Sequence, residues 1–82
     1  MTRAEAAAIL ARALLGAEEA AKLPGGQVMA TDVYEDHWSA KYIAFCLDKG
    51  IMATFGGIFY PNGEVISTDI NLTALKALIG NR

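Results

Sequence analysis

The chain of 82 residues holds one cysteine, one histidine, one tryptophan and two prolines, and each scarcity excludes something. A single cysteine, Cys46, cannot form an internal disulfide. It lies among Ile43, Ala44 and Leu47, a setting that offers no electropositive, exposed environment. It therefore reads as a small buried hydrophobe and not as a reactive thiol. The single histidine, His37, has no partner at metal-ligand spacing, so a metal role is set aside. No serine is placed with either residue to build a nucleophilic triad. Acidic residues are scattered; Glu18-Glu19 and Glu35-Asp36 are adjacent, and adjacent residues on a helix do not face each other. No glycine loop has phosphate-binding spacing. Neither an enzyme nor a cofactor is expected.

Charge is also sparse. Seven Lys and Arg stand against nine Asp and Glu, a net charge of −2 with no basic run. A dedicated nucleic-acid binder needs a basic face and is excluded. The longest apolar stretches are far too short to span a bilayer, so no membrane insertion is expected. Met1-Thr2-Arg3 leads straight into a capped helix, without the apolar region or cleavage site of a signal peptide. If the parent protein is exported, the chain is expected to be an internal or C-terminal piece of it.

What is present is hydrophobic residues, 54% of the chain, many of them alanine. That composition suits one small folded domain with a modest core. Abundant alanine with few aromatics suggests close helix packing or a surface that docks on a neighbour. One pattern also begins twice. Thr2-Arg3-Ala4-Glu5 opens an apolar helix ending at Gly16, and Ile66-Ser67-Thr68-Asp69, 64 residues on, opens another ending at Gly80. Glu5 falls on Asp69, Arg12 on Lys76 and Ala13 on Ala77. A repeat of supersecondary size suggests a unit cut from an array, and arrays usually bind or scaffold.

Three helices are expected. The first covers about 3–15, with Ala6, Ile9, Leu10, Ala13 and Leu14 as its apolar stripe. Thr2 and Glu5 have capping-box spacing. Residues 17–31 connect, with one or two further helical turns before Pro24. A central helix starts at Asp36 as its N-cap and runs to Lys49. Its Trp38, Tyr42 and Phe45 form one stripe and Ala40, Ile43, Ala44 and Leu47 another, which predicts burial between two partners. A Gly- and aromatic-rich loop follows, with Pro61-Asn62-Gly63-Glu64 as its turn. The last helix covers about 68–79, capped by Ser67 or Thr68. The expected fold is all-α, a small three-helix bundle with a structured loop before the last helix.

Thr2-Arg3-Ala4-Glu5, Asp32-Val33, His37-Trp38, Tyr42-Ile43, Lys49-Gly50-Ile51-Met52, Phe59 and Pro61-Asn62-Gly63 together resemble an S-layer homology (SLH) domain. The resemblance divides the chain into a closing helix of a preceding repeat, 1–16, and one full repeat, 30–80. It implies a non-catalytic module of an extracellular bacterial surface protein. Such a module would bind secondary cell-wall polysaccharide, often through pyruvylated sugars, and pack with neighbouring repeats or self-associate. The Gly- and acid-containing loop of the family is altered here to Thr54-Phe55-Gly56-Gly57-Ile58.

The ligand-binding set drawn from the resemblance is Arg3, Trp38, Asp32, His37, Glu5 and Gly57. Arg3 stands in the first turn of a helix, where the dipole favours anions and gives a cation no benefit. With the unsatisfied N–H groups of that turn it would form a carboxylate pocket. Trp38 would either stack on a sugar or belong to the core. Asp32 would orient the groove or cap a turn, and His37 would hydrogen-bond locally. Gly56-Gly57 would admit a ligand close to the backbone or serve a turn. In the second copy Ser67 stands at the Arg position and Ile66 at the Thr position, so the matching cap and cation are lost. A unit with that loss could instead be a structural repeat that binds no glycan. Residues 62–69 and Leu75-Lys76 are also similar to a dockerin repeat. A calcium loop ending at Asp69 would start at Ile58, with Tyr60 third, and leaves too few oxygen ligands.

Overall fold

The computed structural model describes residues 1–25 and 27–80. Four α-helices follow one another: α1 (Arg3–Leu15), α2 (Ala17–Ala21), α3 (Ala40–Asp48) and α4 (Leu72–Gly80), with a 3-10 turn at Ser67–Asp69 before the last. Among the described residues there is no strand, and α1, α3 and α4 make a small all-α three-helix domain. Helix α1 starts where its capping box places it. The Thr2 hydroxyl accepts from the Glu5 N–H at 3.1 Å, and the Glu5 carboxylate accepts from the Thr2 N–H at 2.8 Å.

The buried face of α1 keeps Ala6 and Leu14 of the expected stripe, with Leu10 half-buried against the core, but is otherwise shifted. Ala4, Ala7, Ala8 and Ala11 are at most 2% exposed, whereas Ile9 is 48% exposed and Ala13 is also exposed. The stripe weighted large side chains, but α1 packs its alanines against α3, where small residues let two backbones approach closely. Ala40, Ile43 and Cys46 supply the facing surface, each 0–1% exposed. The approach is close enough for the Cys46 thiol to donate to the Ala7 carbonyl at 3.6 Å. Ile9 instead joins Met1, Val65, Ile66 and Ile70 in an apolar surface groove.

Burial pushes the Cys46 thiol up to about 12, so it stays neutral in the folded chain. The unfolded chain loses that proton near its ordinary value of 9.0. Above that pH the unfolded state binds fewer protons than the folded one, so stability falls as pH rises. Between about pH 8 and about pH 10.5 this group alone removes on the order of 2 kcal/mol. Urea titrations of the parent chain and Cys46→Ala at both pH values check this. The variant, lacking the thiol, declines less over the interval; equal declines would rule the cause out.

The other two long helices start later than expected. Residues 34–39 form turns, and α3 begins after Ser39, with no side-chain cap. The His37 ring takes the Ser39 N–H on Nδ1 at 3.2 Å, while the His37 N–H goes to the Tyr34 carbonyl at 2.9 Å. Those bonds hold a turn where Asp36 was expected to cap. Trp38 therefore lies outside the helix and is 54% exposed, while Tyr42 is buried and Phe45 half-buried. In the last segment Ile70 is extended and breaks the chain between the 3-10 turn and α4. Asn71, not Ser67 or Thr68, caps α4: its side-chain oxygen accepts from the Ala74 N–H at 3.1 Å. Leu75 and Leu78 pack on the core, but Leu72 and Ile79 are 58% and 53% exposed.

Candidate functional site

The loop between α3 and the 3-10 turn is the part that the expected site residues grip. Phe55 and Ile58 exchange backbone hydrogen bonds at 2.8 and 3.1 Å around Gly56 and Gly57, whose φ values are +59° and +85°. Both central residues are left-handed, as a two-residue I′ turn requires, and glycine meets that need without strain. The Gly57 carbonyl accepts from the Thr31 N–H at 2.9 Å. One residue on, the Asp32 carboxylate accepts from the N–H of Phe59 and of Tyr60, both at 2.8 Å. Tyr60 sits at φ +59°, a strained backbone for a residue with a side chain, and this clamp helps hold it there.

Arg3 grips the same loop from the other side and is 3% exposed. Its Nε donates to the Phe59 carbonyl and its Nη2 to the Ala53 carbonyl, each at 2.7 Å. Nη1 lies 3.1 Å from Asp69 Oδ1. That contact is an ion pair too poorly aligned for a hydrogen bond, and Nη1 has no other hydrogen-bond partner among the described residues. The guanidinium also sits 4.5 Å from the Phe59 ring and 5.0 Å from the Phe55 ring. The expected open N–H groups of the first turn are filled. Arg3 N–H donates to the Gly63 carbonyl at 2.8 Å, Ala4 N–H to the Pro61 carbonyl at 2.9 Å, and Glu5 N–H to Thr2.

The carboxylate beside Arg3 is thus the protein's own. Asp69, which the repeat places on Glu5, also accepts from the Ile66 N–H at 2.9 Å. This corrects the reading that the second cap is lost: its carboxylate half survives, and the hydroxyl half is missing because Ile66 has no side-chain acceptor. Glu5 keeps its cap on the surface. Its carboxyl is held below the usual range, first by the Thr2 backbone N–H and then by the Thr2 hydroxyl.

Arg3, Asp32 and Gly57 therefore meet at one loop, whereas His37 and Trp38 stand apart from it. His37 Nδ1 also lies 2.6 Å from the Ser39 hydroxyl. With the Ser39 N–H already aimed at Nδ1, the neutral ring carries its proton on Nε2. The His37 and Trp38 rings lie 5.8 Å apart, and Trp38 and Tyr42 6.5 Å apart. Just before them a polar cleft of about 660 Å³ is lined by Gln27, Thr31, Tyr34, Glu35 and Asp36, among others. Arg12 and Tyr42, which lie outside the set expected from sequence, are joined to this group through the Trp38–Tyr42 contact. The exposed Arg12 guanidinium lies 5.1 Å from the Tyr42 ring, and its Nη2 donates to the Tyr42 hydroxyl at 3.4 Å. Lys41 Nζ lies 5.3 Å from the same ring. A signal for Arg12 was present in the repeat, which keeps a cation there, as Lys76, and drops the one at Arg3.

No group of three or more metal-binding side chains occurs among the described residues, and no described helix is long and apolar enough to cross a membrane. No curated protein and no solved structure matches the chain. A family model does: residues 31–66 match the S-layer homology domain. That domain is a wall-binding module of surface and S-layer-associated proteins and not a catalytic family. The matched segment holds the Asp32 clamp, Trp38, α3 and the whole loop gripped by Arg3, so the similarity to the S-layer homology domain covers the part of the chain that Arg3 and Asp32 hold together.

Proposed function

We propose that the domain holds its parent protein on the outside of a bacterial cell by binding a pyruvylated secondary cell-wall polysaccharide, with Trp38 as the stacking surface. In this reading 1–16 closes a preceding repeat and 30–80 forms a full one. The observation that carries it is the exposure of Trp38. A ring 54% exposed at the head of a helix whose Tyr42 and Ile43 are buried contributes little to the core. Its face is open to a sugar, and its indole N–H is available to a hydroxyl. His37 flanks it, and the Asp32 clamp and Arg3 act one step back, by fixing the loop. Calorimetric titration with purified polysaccharide fragments tests this. Trp38→Ala is expected to weaken binding about tenfold without loss of helical circular dichroism. Unchanged affinity would remove Trp38 from the site.

A structural repeat that packs against sister domains is the second reading. It is favoured by the engagement of Arg3 within the chain and by the exposed Ile66, Leu72 and Ile79. A folded chain that takes up no polysaccharide would favour it over the first.

A further inference from the structure

We propose that Asn62 is a fold-protected deamidation site: it stays intact while its loop is seated on α1, reacts when the loop lifts, and yields an isoaspartyl product that cannot be seated again. Asn62-Gly63 is the one asparagine–glycine step in the chain. A glycine nitrogen is the least hindered nucleophile the backbone offers, because no Cβ flanks it. Once that nitrogen has given up its proton, it attacks the side-chain carbonyl carbon of Asn62. A C–N bond forms to close a cyclic imide, and the bond to the side-chain nitrogen breaks. That nitrogen takes a proton from water and leaves as ammonia. Water then opens the imide at either carbonyl. Opening at the side-chain carbonyl gives aspartate. Opening at the main-chain carbonyl gives isoaspartate, whose backbone runs through the side chain and is one carbon longer.

The Asn62 side chain is exposed and makes no hydrogen bond among the described residues, so the electrophile is available. The nucleophile is not. The Gly63 N–H donates to the Tyr60 carbonyl at 3.0 Å, which closes the turn and holds the proton that must leave. Flanking groups pin that turn to α1. The Pro61 carbonyl accepts from the Ala4 N–H at 2.9 Å, and the Gly63 carbonyl accepts from the Arg3 N–H at 2.8 Å. Tyr60, at φ +59°, is kept in place by the Asp32 carboxylate, and its strained backbone favours release once the loop lifts. Reaction therefore proceeds from the opened loop, at a rate that follows the population of that state. The added backbone carbon falls between the two carbonyls that serve consecutive N–H groups of α1, so the longer segment cannot present both. Gly63 is not free to change, since a Cβ there would meet the Tyr60 carbonyl oxygen at 3.2 Å. The tight seating of the turn thus requires the residue that makes Asn62 vulnerable.

The test incubates the full chain at mildly alkaline pH, folded and in guanidinium chloride, and follows conversion at Asn62 by peptide mapping with detection of isoaspartate. Asn71, followed by the bulky Leu72, is the internal control and is expected to stay intact. Conversion at Asn62 is expected to be at least about tenfold slower in the folded chain, and Asn62→Gln to remove it. The isoaspartyl chain, separated from the parent chain, is expected to unfold at a lower denaturant concentration. Asn62→Asp, which carries the same new charge on a normal backbone, is expected to unfold close to the parent chain. Equal conversion with and without denaturant overturns the proposal, as does no conversion at Asn62 in denaturant. An isoaspartyl chain as stable as the parent chain overturns it too. So does an Asn62→Asp chain as unstable as the isoaspartyl one, because charge and not backbone length would then unseat the loop.

Discussion

Replacing Arg3 with alanine is expected to destabilise the domain by about 3–5 kcal/mol, because it leaves a buried carboxylate without its counter-charge. The Asp69 side chain is 8% exposed, so water reaches it poorly. The same substitution strips two carbonyls, Ala53 and Phe59, of the donors they face at 2.7 Å. At roughly 0.05–0.15 kcal/mol of stability per residue, a domain of this size has about 4–12 kcal/mol in all, so the loss is a large share of it. Asp69→Ala acts on the same pair from the other end and also removes the acceptor for the Ile66 N–H. Arg3→Lys keeps the charge but cannot reach both carbonyls with a rigid fork, and is expected to cost about 1.5–3 kcal/mol. A double replacement by Met and Leu removes both charges and recovers much of the loss, since deleting both partners of a buried pair is far cheaper than deleting one. Urea unfolding followed by far-ultraviolet circular dichroism measures all four; Trp38 is too exposed to report the transition well by fluorescence. Arg3→Ala within about 1 kcal/mol of the parent chain would show the guanidinium to be solvated.

How far local sequence carries the fold is clearest at the helix starts. Helix α1 was legible to the residue, 3–15, because its cap is complete within four positions. Helices α3 and α4 were misplaced because each offers several capping residues in a row. His37 settles the first by taking the Ser39 N–H. Ile51 contributes to the second, since its carbonyl accepts from the Asn71 N–H at 2.8 Å. The partner that matters there lies twenty positions away. Site residues divide in the same way. The Gly56-Gly57 turn is local and legible. The filling of the α1 N-terminus by the carbonyls of Pro61 and Gly63 joins segments nearly sixty positions apart, and no local spacing reveals it. Arg3 therefore looked like an open cation. The repeat held part of the correction, since it placed an acidic residue at position 69 where Glu5 stands, but its partner could be read from contacts alone.

Phe59→Ala is expected to cost about 3–5 kcal/mol, whereas Phe55→Ala costs about 0.5–1 kcal/mol, although both rings lie against the same guanidinium. The difference is burial. Phe59 is fully buried and Phe55 is 54% exposed, so the first deletion leaves a cavity and the second mainly removes a contact at the surface. Backbone bonding raises the stakes at Phe59 further. Its N–H is held by Asp32 at 2.8 Å and its carbonyl by Arg3 at 2.7 Å, so a collapse of the ring site disturbs two charged groups from opposite sides of the loop. Phe59→Leu keeps most of the volume and is expected to cost about 1.5 kcal/mol or less. Combined with Arg3→Lys it gives a double-mutant cycle. Because the residues are in contact, the two losses should depart from additivity by at least about 0.5 kcal/mol. Additive losses would mean that ring and guanidinium stabilise the loop independently. Coupled losses would make Arg3 and Phe59 one unit, whose failure would loosen the loop inside the matched 31–66 segment while leaving the α1–α3 alanine interface in place.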